Sequence, residues 1–288
     1  MIKKISIIGA GGVGASVAYN VLSRIAPEEL ILIDVVEGLA AGVALDLEDT
    51  RGILRFSTQI KGSQDYNCIK DSDIVVITAG IARKKGMDRA ELIKINADIV
   101  KSAASQIKNL APNSIIIVVT NPLDVITYLV VKETGFNPKK VLGMGSSLDT
   151  NRLYNIIHNL TKVPISAIEG FVYGPHSKDM IVDSEKIKIK GKNLNDALGK
   201  DKAEEIKQRV QLRGAEIVGY LKNKSACFAP GLSVCAVIEA ITKDKNEIMP
   251  VSVLLNGEYG LNDVCSGVPC LINRKGVDKI IETELTES

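Results

Sequence analysis

KISIIGAGGVGASVAYNVLSRIAPEELILID, residues 4–34, decides the fold. A short apolar run, KISII, ends in glycine; VGASVAYNVLSRIA follows with helical periodicity; ELILID is a second apolar run closed by an acid. Strand, glycine turn, helix and strand in that order make the opening βαβ unit of a parallel sheet. Within the turn, Gly9, Gly11 and Gly14 fall in GxGxxG spacing. In a chain with 24 glycines that spacing alone is weak; its place between a strand and a helix gives it weight. Gly11 is where a backbone would approach a pyrophosphate, whose charge the free N–H groups and dipole of the helix N-terminus would hold. Gly14 lets the helix pack tightly on the strand. Asp34 lies 34 − 14 = 20 residues beyond Gly14, where a carboxylate accepts both hydroxyls of a ribose and repels a 2′-phosphate. No arginine follows it, so the expected cofactor is NAD rather than NADP.

The pattern continues outward. DIVVITAG (73–80) and NSIIIVVTNP (113–122) are β-branched runs suited to strands buried on both faces, and ELIKINADIVKSAASQIKNLA (91–111) between them is an amphipathic helix. The first half therefore reads as an α/β Rossmann domain with a doubly wound parallel sheet, residues 1–143. Past residue 143 the pattern changes. SSLDTNRLYNIIHNL reads as a helix capped by Ser or Asp, and 166–190 as antiparallel strands. Helices are expected near 199–224 and 232–243, and the last residues read as a meander. Residues 144–288 are read as an α+β substrate domain joined to the first without a linker.

Composition narrows the function. The formal net charge is +2, aromatics are 4% and tryptophan is absent, so the basic, aromatic stripe of a nucleic-acid binder is missing. No apolar run reaches the ~18 residues of a membrane span, and MIKKISIIGAGG turns glycine-rich too soon for a signal peptide. Five cysteines without CxxC spacing read as buried reduced thiols, with no metal site, in a cytoplasmic protein.

A nicotinamide enzyme needs the protein to supply a proton, charge and orientation. Of two histidines, His158 lies inside a helical run, and His176 follows a strand in VYGPHSKDM. A lone loop histidine is as often a solvated surface residue. Asp149 and Arg152 in SSLDTNR share one helix face. The Arg152 fork fits a carboxylate and Asp149 could orient an imidazole, although a local surface ion pair is the plainer reading. Asn121 in VTNPLD sits just past a strand's carboxyl end, where such sheets bind ligands, or simply makes an Asn-Pro turn.

GAGGVGAS, LID, ITAGIARKKGMDRAEL, VVTNPLDV, GMGSSLDTNR, YGPH, GAEIVGYLKNKSACFAPG and PVSVLLNGEYG appear in order over nearly the whole chain. Together they resemble the lactate/malate dehydrogenase family, most closely its lactate-dehydrogenase-like malate dehydrogenases. The resemblance implies that His176 is the general acid/base, Asp149 its support, and Arg152 the clamp on the carboxylate beside the reacting carbon. It also implies that Arg89 rides a mobile lid and polarises the carbonyl, and that Asn121 contacts substrate and, with Asn96, the cofactor. Arg83 is the discriminating position, where lactate enzymes of the family resemble one another in carrying Gln. A lid closing over a second carboxylate without a partner would strand a desolvated charge. Arg83 therefore implies a dicarboxylate, malate or oxaloacetate, with Gly86 a hinge between the two arginines and Lys84 and Lys85 solvated.

The sequence departs from the family pattern in two places. His176 is followed by Ser177, Lys178 and Asp179 where the family resembles H-G-D or H-G-N, and IIETELTES stops at Ser288, where relatives continue into a helix. A substrate domain lacking that helix is expected to expose apolar surface. The alternatives are a lactate or broader 2-hydroxyacid dehydrogenase and an impaired NAD-binding homologue. The resemblance also implies a homodimer or homotetramer in the tricarboxylic acid cycle.

Overall fold

The structure, a computed structural model, describes residues 2–81, 89–222 and 224–286. In chain order its elements are β1 (Lys4–Ile8), α1 (Gly12–Arg24), β2 (Glu29–Ile33), α2 (Leu39–Asp49), α3 (Arg51–Leu54), β3 (Gln59–Ser63), β4 (Ile74–Ile77), α4 (Arg89–Leu110), β5 (Ile115–Val118), α5 (Leu123–Thr134) and β6 (Val141–Gly143). Then come α6 (Ser146–Thr161), β7 (Ile168–Glu169), β8 (Lys188–Ile189), β9 (Lys192–Asn193), α7 (Leu194–Leu198), α8 (Lys200–Leu221), α9 (Phe228–Thr242), β10 (Glu247–Asn256), β11 (Asn262–Asn273) and β12 (Gly276–Ile280).

The main sheet has nine strands in the order β12-β11-β10-β6-β5-β4-β1-β2-β3. From β3 to β6 every pairing is parallel. β4 and β5 are IVVI and IIIV, with every residue buried, because helices cover both faces. Alternate residues feed opposite cores. Ile5, Ile7, Ile74 and Val76 pack with α1, α2 and α9; Ile8, Val75, Ile77 and Ile116 pack with α4 and α5. Chain order reverses between β1 and β4, which opens a crevice at their carboxyl ends.

Several sequence expectations change. β10, β11 and β12 form the meander, but it extends the parallel sheet through an antiparallel pairing of Ser252 with Gly143. α9 packs directly on α1, with Gly231 so near Ser16 that an added Cβ would lie 2.2 Å from its Oγ. Residues 166–190 form little strand: two-residue β7 and β8, and a bridge from Tyr173 to Ile181. Turns at Ser177 and Asp183 break the alternation. α6, α7 and α8 enclose a separate core around Leu153, Ile157, Val172 and Ile206. Cys235, Cys265 and Cys270 are buried, but Cys68 and Cys227 are only half-buried, because they sit outside the strands and helix interiors.

Candidate active site

The crevice is built first from glycines. Gly9 leaves β1 at φ +104°, where an added Cβ would meet Ala79 N and Thr78 Oγ1 at 2.7 Å. Thr78 Oγ1 donates to Gly9 O at 2.9 Å, tying the exits of β1 and β4 together. A Cβ on Gly14 would lie 1.8 Å from Gly9 O, so only glycine lets α1 start here. Gly11 is the N-cap of α1 and offers no side-chain cap; an added Cβ there would meet no protein atom within 4 Å. The first turn of α1 thus presents backbone donors to open space. That cradle fits the pyrophosphate of a dinucleotide.

Asp34 follows β2 and is held over the same loop, its Oδ2 accepting from Ala10 N at 2.7 Å and its Oδ1 from Val36 N at 2.9 Å. Beyond it a cavity of about 510 Å³ is lined by Val36, Leu39, Val43 and Asp46. On the other side of β1, Asn121 is exposed after β5, at a cis peptide to Pro122. Asn96 in α4 is 1% exposed. Its Oδ1 accepts from Ile81 N at 2.8 Å and its Nδ2 donates to Asn121 O at 2.7 Å, so it braces the β4 and β5 exits against each other.

α6 brings the ionisable groups. Its N-cap is Gly145, not the expected Ser or Asp. The reason is crowding: an added Cβ would lie 2.3 Å from Leu123 Cδ2 and 2.8 Å from His176 Cβ. Asp149, in the first turn of α6, is 1% exposed. Its Oδ2 lies 2.6 Å from His176 Nδ1 and its Oδ1 accepts from Arg152 Nη1 at 3.2 Å. One buried carboxylate therefore joins an imidazole to a guanidinium, far from the surface ion pair that spacing alone allowed. Burial draws the Arg152 pKa below its ordinary value, and the charge of Asp149 opposes that. Arg152 Nε is buried and has no partner among the described residues, so the site holds an unused donor where an anionic ligand can complete it.

His176 stands on a loop pinned at Gly174, which bridges to Gly267 of β11. Its main-chain N–H donates to Asp124 Oδ2 at 2.8 Å, and Ser252 Oγ donates to Asp124 Oδ1 at 2.6 Å. Ser177 Oγ accepts from Asp179 N at 3.1 Å, and Lys178 is exposed. His158 takes no part: its Nδ1 lies 2.8 Å from Val163 O at the far end of α6.

Gly9, Gly11, Gly14, Asp34, Asn96 and Asn121 thus gather at the carboxyl ends of the strands, and Asp149, Arg152 and His176 join them through α6 and the pinned loop. Arg83, Lys84, Lys85 and Gly86 lie outside the described residues, and Arg89 opens α4 with its side chain outside the description. Thr78, Asp124 and Ser252 were not singled out by sequence; each is a small polar residue whose partner lies at least 52 residues away, and nothing local signals it.

A sequence model of the lactate/malate dehydrogenase NAD binding domain matches residues 3–143, and one of the lactate/malate dehydrogenase alpha/beta C-terminal domain matches 146–288. The chain is 41% identical over 285 residues to a malate dehydrogenase of Pelodictyon phaeoclathratiforme, covering 99% of this chain and 92% of that one. Among solved structures, malate dehydrogenase from Salinibacter ruber superposes with a TM-score of 0.92 at 35% identity, covering 98% of this chain and 90% of that one. A Cryptosporidium parvum lactate dehydrogenase, complexed with lactic acid and NAD, superposes at 0.95 with 32% identity, covering 99% and 92%. Fold alone therefore does not separate the two activities.

Proposed function

The chain belongs to the lactate/malate dehydrogenase family, and we propose that it carries out the malate reaction: reversible hydride transfer between (S)-malate and NAD⁺, giving oxaloacetate, NADH and a proton. It is an NAD-dependent oxidoreductase acting on a CH–OH group. The observation that carries the residue assignment is the buried Asp149 joined to both His176 and Arg152. When bound, the nicotinamide supplies the hydride acceptor or donor. The loop of Gly9, Gly11 and Gly14 seats the pyrophosphate, Asp34 takes the adenosine ribose, and Asn96 acts on the cofactor by bracing Asn121.

In oxaloacetate reduction His176 gives a proton from Nε2 to the oxygen on the reacting carbon; in malate oxidation it takes that proton from the hydroxyl. Asp149 fixes the tautomer and stabilises the imidazolium. Arg152 clamps the carboxylate beside the reacting carbon. Arg89 polarises the carbonyl and Arg83 pairs with the distal carboxylate, both on sequence grounds. His176→Asn tests the assignment. Turnover of oxaloacetate should fall roughly 10²–10⁴-fold, while NADH still binds; an active variant would remove His176 from the role.

The finer reading is a cytoplasmic enzyme of the tricarboxylic acid cycle that assembles as a homodimer or homotetramer. Among the described residues no helix is long and apolar enough to cross a membrane. Leu45 on α2 and Leu212 and Tyr220 on α8 are exposed apolar side chains that assembly could cover. Light scattering reporting a mass of 30.9 kDa, one chain, would refute the assembly.

A further inference from the structure

The carboxylate of Asp124 has no role in the reaction as described, yet it ties two parts of the site together. It stands in the first turn of α5, three residues after Asn121. Its Oδ2 accepts the main-chain N–H of His176 at 2.8 Å, and its Oδ1 accepts the hydroxyl of Ser252 at 2.6 Å. Ser252 lies in β10 opposite Gly143 of β6, where the two halves of the sheet join. We propose that Asp124, braced by Ser252, is a positioning residue that sets where the His176 imidazole stands relative to the substrate carbon.

The loop makes this anchor necessary. Gly174 exchanges main-chain bonds with Gly267 at 2.9 and 3.0 Å, which fixes one end. Pro175 has no N–H to donate. His176 is the next residue able to hold the backbone, and its N–H goes to Asp124 alone. Asp149 restrains the ring only at Nδ1, so without the backbone anchor the ring can swing about that bond. A misplacement of about 1 Å at a reacting group costs on the order of 100-fold in rate. Burial raises the pKa of Asp124, and the bonds from Ser252 and His176 oppose it.

The proposal rests on His176 being the acid/base, and the experiment separates the two. Wild type, Asp124→Ala, Asp124→Asn and Ser252→Ala are assayed for oxaloacetate-dependent NADH oxidation, and NADH affinity is measured by fluorescence. Asp124→Ala should lose roughly 10–100-fold in kcat with NADH affinity within about threefold of wild type. Asp124→Asn, which still accepts from His176 N and can donate to Ser252 Oγ, should restore most of that loss. Ser252→Ala should fall between. Should Asp124→Ala fail to fold, the contrast of Ser252→Ala with Asp124→Asn decides alone. The proposal is overturned if Asp124→Ala and Ser252→Ala turn over like wild type. It is equally overturned if Asp124→Asn is as impaired as Asp124→Ala, or if NADH affinity falls in step with kcat. No turnover by wild type itself would instead refute the acid/base reading.

Discussion

At the scale of single residues, the site depends on one buried carboxylate serving both an imidazole and a guanidinium. Asp149 is nearly inaccessible, so its charge is tolerable only with both His176 and Arg152 in place. Asp149→Asn keeps the shape, but its amide cannot stabilise an imidazolium and leaves Arg152 short of a counter-charge. We expect kcat for oxaloacetate to fall roughly 10²–10⁴-fold and KM to rise, both read by steady-state kinetics; a drop in one parameter alone would separate the two partners. Sequence made these three residues legible because Asp149 and Arg152 share a helix face and the chain has only two histidines. It did not reveal Asp124 or Ser252. A bond between residues 128 apart leaves no local pattern in either segment.

Elements are placed by contacts that only small residues allow. Gly14 and Gly11 share a loop but not a reason. A methyl on Gly14 strikes the backbone oxygen of Gly9, which cannot rotate away. Gly14→Ala should therefore lower the melting temperature and abolish NADH binding together. Gly11→Ala meets nothing in the protein. It should leave the melting temperature unchanged and weaken NADH binding tenfold or more, about 1.4 kcal/mol. Equal thermal losses in both variants would contradict this division. The first two strands and α1 were legible because apolar runs end in glycine and then in acid. α2 and β3 were not: QIKGS is an exposed-to-intermediate edge strand without an apolar run, and α2 begins at a left-handed Gly38 without a side-chain cap. The same limit explains why residues 166–190 looked like strands: alternation of polarity there reflects turns that face the α6–α8 core, not pairing.

In the whole molecule, the two halves are joined by a continuous sheet and by α9 lying on α1. Periodicity identifies strands but not which strand they pair with, so the join at Ser252 and Gly143 was invisible in the sequence. Glu239 secures the second contact. At 8% side-chain exposure, it accepts from Arg24 at 2.7 Å and from Lys243 at 2.8 Å, with Lys245 3.3 Å away. Bonds from Lys243 and Arg24 lower its pKa from 4.5 to about 2. A depressed carboxylate stabilises the fold above its unfolded pKa and loses that contribution as pH falls through 4.5 towards 2. Glu239→Gln should cost about 1–3 kcal/mol at neutral pH. The melting curves of variant and wild type should converge as pH approaches 2, while a gap constant with pH would mean that charge is not the cause. Substrate choice is assigned on sequence grounds to Arg83, which lies outside the described residues. The most direct measurement is NADH oxidation by the whole chain with oxaloacetate and pyruvate in parallel. The account predicts a strong preference for oxaloacetate. Preference for pyruvate would contradict it, because Arg83 could not then face the substrate.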